Sequence, residues 1–125
     1  DALRGNLLYD VASLIDDVRI KLPIKLKSSL FSYYLSKTSK IKNNTEKLLA
    51  QNDFDILSVQ RNLKILGIFV RLFKRDHKLS YLKHLPYIWE LLELRLKNPI
   101  FINLKYLLNK AVPIKNRKKV KFNDN

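Results

Sequence analysis

The stretch DFDILSVQRNLKILGIFVRLF, residues 53–73, decides the fold class of this chain. Its apolar residues recur at steps of three and four, the spacing that places side chains on one face of an α-helix. The predicted inward stripe consists of Ile56, Val59, Leu63, Leu66, Val70 and Phe73. Four further apolar residues make this helix apolar on nearly every side: Ile65, Ile68, Phe69 and Leu72. The stretch therefore predicts a core helix near residues 54–75, with exposed apolar surface if its neighbours are missing. Gly67 lowers its helix propensity, and we expect close approach of another helix to offset that cost.

Helical periodicity extends along the rest of the chain, because only two Gly and four Pro interrupt it. Pro23 fits the start of a second helix, and Pro86 marks a break or a new start in a fourth segment. Residues 100–108 supply a final short helix after Asn98-Pro99. The first segment has an apolar face, with Asp10 expected at the helix N-cap or in its first turn. That face comprises Val11, Leu14, Ile15 and Val18.

These patterns predict an all-α fold of about five helices around the central one. We expect one helical subdomain over residues 1–112. Residues 113–125 are basic and polar without periodicity, so we expect them to form a flexible tail.

The composition excludes several classes of site. Without Cys there are no disulfides and no thiolate metal ligands. No uncharged apolar run reaches the roughly 18 residues that span a bilayer. His77 and His84 form no metal-ligand pattern, and there is neither a glycine-rich phosphate loop nor a Gly-x-Ser-x-Gly elbow. The chain has no Met and starts with Asp1, so we expect a fragment whose beginning is missing.

A formal charge of +14, from 25 Lys and Arg against 11 Asp and Glu, favours anionic partners such as nucleic acid, phosphate compounds or acidic lipid. The abundant Lys occurs with many Ile, Leu and Asn. This combination is also typical of proteins from AT-rich genomes, which is the interpretation we favour.

Two charged groups are candidates for binding. Asp10 and Asp17 are seven residues apart and would share one side of a helix with Asp16 nearby. Paired carboxylates can bind a cation or a hydroxylated substrate. Helix capping with a solvated face is the simpler interpretation, in which Arg19 neutralises the cluster.

The second group is a basic strip on the predicted central helix, formed by Arg61, Lys64, Arg71 and Arg75. A solvated strip is the default interpretation. The functional alternative is a wall facing an anion, because arginine holds carboxylate or phosphate in bidentate fashion. Arg61 would need such a partner if it were buried among apolar neighbours.

Two stretches resemble a known family. DALRGNLLYDVASLIDDVR, residues 1–19, is similar to the segment that follows the metal-binding Asp-Phe-Gln of the aminoglycoside phosphotransferase family. QRNLKILGIFVRLFKRDHKLSYLKHLP, residues 60–86, resembles the Gln-Arg-x-x-Lys-x-Leu-Gly-Ile-Phe-x-Arg-Leu signature of its branch of cell-wall sugar kinases, which act on N-acetylmuramate and N-acetylglucosamine. The branch usually has Arg-Asp-Gly-Lys where this chain has His77 as the third residue, so the turn there is expected to differ.

The resemblance implies the helical C-terminal subdomain of a protein-kinase-like fold. The parent would be a cytoplasmic bacterial enzyme of cell-wall recycling that transfers the γ-phosphate of ATP to a hydroxyl of an amino sugar. ATP and Mg²⁺ would be cofactors of that parent only, because the family's nucleotide lobe, catalytic loop and metal-binding Asp all precede Asp1. The fragment alone would be inactive, with the missing N-terminal lobe as its partner.

The resemblance also assigns residues. Asp10 matches an Asp that supports the catalytic loop, while Asp16, Asp17 and Arg19 would lie near the acceptor cleft. The signature residues Arg61 and Lys64 would face the sugar or its acid group. No catalytic residue and no metal ligand is implied within this chain.

Two other interpretations remain open. One is a small basic helical module that binds nucleic acid or an acidic membrane surface through a basic tail containing Lys115, Arg117, Lys118, Lys119 and Lys121. Such a tail gives nonspecific, salt-dependent attraction, and the helices contain no motif for specific nucleic-acid recognition. The other is a helical scaffold without a ligand.

Overall fold

The computed structural model describes residues 2–38, 41 and 43–117. This part of the chain contains no β-strand, which confirms the all-α prediction. Its six α-helices are α1 (Ala2–Ile15), α2 (Ile24–Lys37), α3 (Asn44–Asp76), α4 (Leu85–Arg95), α5 (Ile102–Ala111) and α6 (Ile114–Arg117). Short 3-10 turns at Leu79–Tyr81 and Pro99–Phe101 precede α4 and α5. None of the described helices combines the length and apolar character that a membrane crossing requires.

The chain divides into two compact units, Asp1–Arg61 and Asn62–Asn125, and the boundary falls within α3. The single subdomain predicted over residues 1–112 spans both units.

The core of the first unit is formed by Ala12, Ile15, Phe31 and Phe54. The rings of Phe31 and Phe54 lie 4.7 Å apart between centroids. On α1 the inward face follows residues 8, 11, 12 and 15, which is one helical stripe. Leu14 falls outside that stripe and is 66% exposed, so its predicted place on the apolar face is wrong.

Within the first unit, the buried face of α3 differs from the predicted stripe. Val59 is buried as predicted, but Ile56 is 36% exposed. Asp55 and Ser58 are buried together with Phe54. Burial of such polar groups is possible only when they are hydrogen-bonded; Gln51, for example, donates to Asp55 at 2.8 Å. The spacing of apolar residues alone therefore predicts the wrong buried face for this part of α3.

The core of the second unit surrounds α4. Pro86 lies in the first turn of α4, which confirms the new start predicted there. The buried apolar residues are Leu82, Ile88, Trp89, Leu91, Leu92, Leu96 and Phe101. Asn98 accepts a hydrogen bond from the backbone N–H of Ile100 at 3.2 Å and so caps the turn that leads into α5.

Arg117 anchors α6 within the second unit. Its side chain is 1% exposed, and its guanidinium carbon lies 4.5 Å from the centre of the Trp89 ring. The guanidinium also donates to three oxygen atoms, on Glu93 (3.2 Å), Asn109 (2.9 Å) and the Val112 carbonyl (2.9 Å). The helix α6 extends to Arg117 and therefore lies within residues 113–125, for which a flexible tail was predicted. The rest of the predicted tail, residues 118–125, lies outside the described residues.

Two backbone positions on and after α3 differ from expectation. A Cβ atom built on Gly67 meets no atom within 4 Å, so the close helix approach predicted there is absent from the described residues.

His77, directly after α3, adopts a positive φ of 54°. Its N–H donates to the Phe73 carbonyl at 2.7 Å, so the left-handed residue ends the helix in the manner usual for glycine.

Candidate functional site

The acidic turn, residues 16–19, follows the end of α1 at Ile15. The N–H of Asp16 still donates to the Ala12 carbonyl at 3.0 Å, and the chain then leaves the helix. Asp10 lies within α1, well past its first turn, and is exposed. Its predicted capping position is therefore wrong. The prediction that Asp10 and Asp17 share one side of a helix is also wrong, because α1 ends before Asp17.

Asp16 forms a buried ion pair with Lys27 of α2, at 2.8 Å. The two side chains are 1% and 4% exposed. Lys27 also donates to the Ile15 carbonyl at 2.9 Å, and the Ser58 hydroxyl donates to the second carboxylate oxygen of Asp16 at 2.5 Å. These additional hydrogen bonds compensate both charges for the loss of water. Asp16, which the resemblance places near the acceptor cleft, is shielded from solvent and holds the acidic turn against α2 and α3.

Arg19 is the exposed residue of the acidic turn, with its side chain 77% exposed, and it pairs with Asp17, whose side chain is 13% exposed. Arg19 donates to both carboxylate oxygens, from Nε at 3.2 Å and from Nη2 at 3.0 Å, and its backbone N–H donates at 2.8 Å. The Arg19 side-chain hydrogen bond is the largest influence on Asp17 and holds the pKa of that carboxyl below its usual 3.8. The same hydrogen bond raises the pKa of Arg19. The two residues thus neutralise each other, as the simpler interpretation predicts.

Arg61, the first member of the predicted basic strip, contacts the acidic turn. Its side chain is half-buried, and Nη1 lies 3.5 Å from the backbone carbonyl oxygen of Asp16. Its positive charge also contributes to lowering the pKa of Asp17. The need for a carboxylate or phosphate partner, predicted for a buried Arg61, stays a prediction, because Arg61 is half-buried and its partner here is a backbone carbonyl.

The other members of the strip are exposed. Lys64 lies one turn of α3 beyond Arg61 with its side chain in solvent. Arg71 is likewise exposed, and Arg75 pairs with its neighbour Asp76 at 2.8 Å. This pattern agrees with the solvated strip of the default interpretation.

Two residues of the site were missed from the sequence. Lys27 lies four residues before Phe31 and shares its buried face of α2. A lysine at an inward position requires a buried acid, and this is the signal by which Lys27 could have been found. Ser58, 42 residues from Asp16 along the chain, carries no comparable signal.

The paired groups of this turn are suited to recognition. Arg19 offers guanidinium N–H donors, Asp17 offers carboxylate acceptors, and the buried pair of Asp16 and Lys27 holds their backbone in place. Such groups bind hydroxyl and acid groups of a ligand. Nowhere in residues 2–38, 41 and 43–117 do three His, Asp or Glu side chains gather as ligands for a metal ion.

Comparison with known proteins identifies relatives of one kind. The N-acetylmuramate/N-acetylglucosamine kinase of Caulobacter vibrioides is 26% identical over 118 residues, which cover 94% of this chain. The kinase of the same name from Pseudomonas aeruginosa is 33% identical over 97 residues, or 74% of this chain. That of Neisseria meningitidis serogroup B is 33% identical over 88 residues, or 69%.

The matched regions account for 31%, 28% and 26% of those three relatives, so the chain spans less than a third of their length. No family model matches the chain, and no solved structure matches it. This chain is a relative of the N-acetylmuramate/N-acetylglucosamine kinases, similar to them over most of its own length.

Proposed function

We propose that this chain forms the acceptor-side helical part of a longer enzyme that phosphorylates an amino sugar with ATP. The observation that carries the proposal is the 33% identity over 97 residues to an N-acetylmuramate/N-acetylglucosamine kinase. By this proposal the longer enzyme belongs to the aminoglycoside phosphotransferase family, is cytoplasmic and acts in bacterial cell-wall recycling. Its substrate is N-acetylmuramate, N-acetylglucosamine or a close analogue.

The acidic turn is the proposed contact with the sugar. The exposed Arg19 supplies donors, and the largely buried Asp17 carboxylate beside it supplies an acceptor. The two groups can exchange their mutual hydrogen bonds for bonds to sugar hydroxyls. Asp16 and Lys27 act as positioning residues, because their buried ion pair fixes the backbone on which the turn is built. Lys64 and Asp10 are exposed, so both are accessible to a ligand or to another part of the longer enzyme.

Nucleotide and metal binding are not proposed for these residues. The chain has no glycine-rich loop to hold phosphates, and its described part lacks a cluster of metal-ligating side chains. We propose that the longer enzyme binds ATP and Mg²⁺ with residues outside this chain. The chain alone is then inactive, and its contribution is to bind and orient the acceptor.

The test requires the product of the complete reading frame, assayed for ATP-dependent phosphorylation of N-acetylglucosamine and N-acetylmuramate. Arg19→Ala removes the exposed guanidinium and should raise the KM for the sugar about tenfold, with the KM for ATP unchanged. Arg71→Ala is the matched control, since Arg71 is also an exposed arginine but belongs to the second compact unit of the chain.

Two results would contradict the proposal. One is a complete reading frame without the His-x-Asp-x-x-x-x-Asn catalytic loop of the family. The other is an active kinase in which Arg19→Ala and Arg71→Ala have equal kinetics, which would exclude the acidic turn from sugar binding while leaving the kinase assignment intact.

A further inference from the structure

An unusual exposed strip runs along α5. Ile102 and Tyr106, four residues apart, are 72% and 67% exposed. Lys105 and Lys110 lie on either side of them and are also exposed. On a helix with 100° per residue these four side chains occupy one continuous arc. We call this set the α5 strip.

The four side chains of the α5 strip point to solvent, while Asn109 within the same arc is half-buried and accepts a hydrogen bond from Arg117. Leu104 and Leu108, on the opposite side, are half-buried, whereas none of the ten residues of α5 is fully buried. Leu107, at the margin of the strip, is another exposed apolar residue at 61%. The helix therefore presents apolar side chains to solvent as well as to its own unit, which is typical of an interaction surface.

The sequence on either side of the strip is basic. Residues 94–123 contain nine Lys and Arg and no Asp or Glu. The nearest preceding acid, Glu93, binds Arg117 at 3.2 Å. Exposed Lys97 and Lys115 flank the helix and add to the charge of Lys105 and Lys110. The surface is therefore complementary to an anionic partner.

We propose that the α5 strip docks on the surface of an anionic lipid bilayer. Ile102 would enter the boundary of headgroups and acyl chains, where Tyr106 can also bury its ring while its hydroxyl stays hydrated. The two lysines would extend their apolar stems along this boundary and pair their ammonium groups with lipid phosphates. Nucleic acid fits the positive charge but offers no apolar medium for Ile102, so the exposed isoleucine favours the bilayer.

This inference is independent of the proposed function. It requires only that α5 lie along the bilayer surface, which a ten-residue helix can do without crossing it. Each lysine near an anionic surface and each apolar side chain entering the boundary adds to the affinity, so both kinds of residue must be tested.

The experiment measures binding of the 125-residue chain to sedimented vesicles. One set contains equal parts of phosphatidylglycerol and phosphatidylcholine, and the other contains phosphatidylcholine alone. We expect binding to the anionic vesicles only, weakened by salt. The double variant Tyr106→Ser/Lys110→Gln should lose about tenfold or more in affinity, because it removes one aromatic ring and one charge.

The chain provides a closely matched control. Tyr33 and Lys37 on α2 are also four residues apart, Tyr33 is 65% exposed, and the ammonium of Lys37 lies 5.4 Å from the Tyr33 ring centre. The double variant Tyr33→Ser/Lys37→Gln makes the same chemical changes outside the α5 strip and should bind like the unaltered chain. Circular dichroism melting of both variants checks that each remains folded.

Three outcomes would overturn the proposal: no binding to either vesicle, equal binding to both, or equal loss in the two double variants. If Tyr106→Ser/Lys110→Gln unfolds, the binding of the unaltered chain to the two vesicle sets and its salt dependence still decide. Light scattering measures whether the chain self-associates and so distinguishes lipid binding from an interface between copies. If the chain self-associates and Tyr106→Ser/Lys110→Gln abolishes association rather than lipid binding, the strip is an interface between copies. If that variant loses affinity for single-stranded RNA but not for vesicles, the partner is nucleic acid.

Discussion

The ammonium of Lys27 lies 2.8 Å from the carboxylate of Asp16, and both side chains are almost completely buried. This ion pair joins the residue that follows α1 to the first turn of α2. Since Ser58 on α3 also donates to Asp16, one carboxylate is bonded to side chains of two different helices. The pair formed by Asp17 and the exposed Arg19 follows directly after this supported residue.

We expect Lys27→Met to destabilise the chain by about 3–5 kcal/mol, because it leaves the Asp16 carboxylate buried without its counter-charge. Urea unfolding followed by circular dichroism measures this loss. Lys25→Met is the control: Lys25 is exposed on the same helix, so its loss should stay within about 0.5 kcal/mol. Equal stability of the two variants would show that the ion pair is not formed in solution. Combining Lys27→Met with Asp16→Asn should restore part of the loss.

Gly67→Ala should stabilise the chain by about 1 kcal/mol. Gly67 lies inside α3, where alanine has the higher helix propensity. The added Cβ meets no atom within 4 Å, so no steric cost opposes the gain. The midpoint of thermal unfolding is the measurement, and a lower midpoint for Gly67→Ala would mean that another chain or segment packs closely on this position.

His77→Gly should also stabilise the chain, by about 1 kcal/mol, because a side chain at φ 54° carries a steric cost that glycine avoids. The matched control is Lys78→Gly, at a φ of −86°. At position 78 glycine relieves no steric cost and adds only flexibility to the unfolded chain, so Lys78→Gly should lower the free energy of unfolding. If both glycine variants change the free energy of unfolding in the same direction, the left-handed turn after α3 is not present in solution.

The acidic turn should make the free energy of unfolding depend on pH in acid. Folding lowers the pKa of Asp17 below 3.8, so the ionised carboxylate stabilises the folded state above that pH. This contribution is lost as the pH falls below 3.8 through the folded-state pKa. Urea midpoints measured across this range should therefore fall less steeply for Asp17→Asn than for the unaltered chain.

Arg19→Gln provides the second arm of the pH experiment. It removes the hydrogen bonds that are the largest cause of the lowered pKa, and should flatten the same region of the pH profile. Added salt should weaken the effect, because the Arg19 side chain is 77% exposed. A profile unchanged in both variants would contradict the pairing of Asp17 with Arg19.

Much of the local structure was predictable from sequence because it depends on neighbouring residues. Pro23 precedes α2, Pro86 lies in the first turn of α4, and Asn98 caps the turn before α5, all as local rules indicate. The apolar spacing of residues 53–73 likewise predicted the helical character of α3. The similarity to the kinases named above was also predicted, from residues 1–19 and 60–86, because short motifs are read directly from the sequence.

The positions of polar side chains were not predictable in this way. Arg117 was assigned to a flexible tail because periodicity stops there, yet its guanidinium lies over Trp89. Leu14 was expected inside and lies outside, because the end of α1 and the packing of α2 decide which stripe faces inward. Such positions depend on how segments pack against each other. The apolar periodicity of a single segment does not specify that packing.

By itself, the sequence of residues 53–73 determined that this chain builds a long helix, because the spacing of its apolar residues repeats with the helical period. It did not determine which residues of that helix would be buried. The tertiary structure turned Ser58 inward to Asp16, 42 residues away, and left Ile56 partly exposed. The physical reason is that a buried charge must be hydrogen-bonded wherever its partners lie in the chain, and a local apolar pattern carries no information about that requirement.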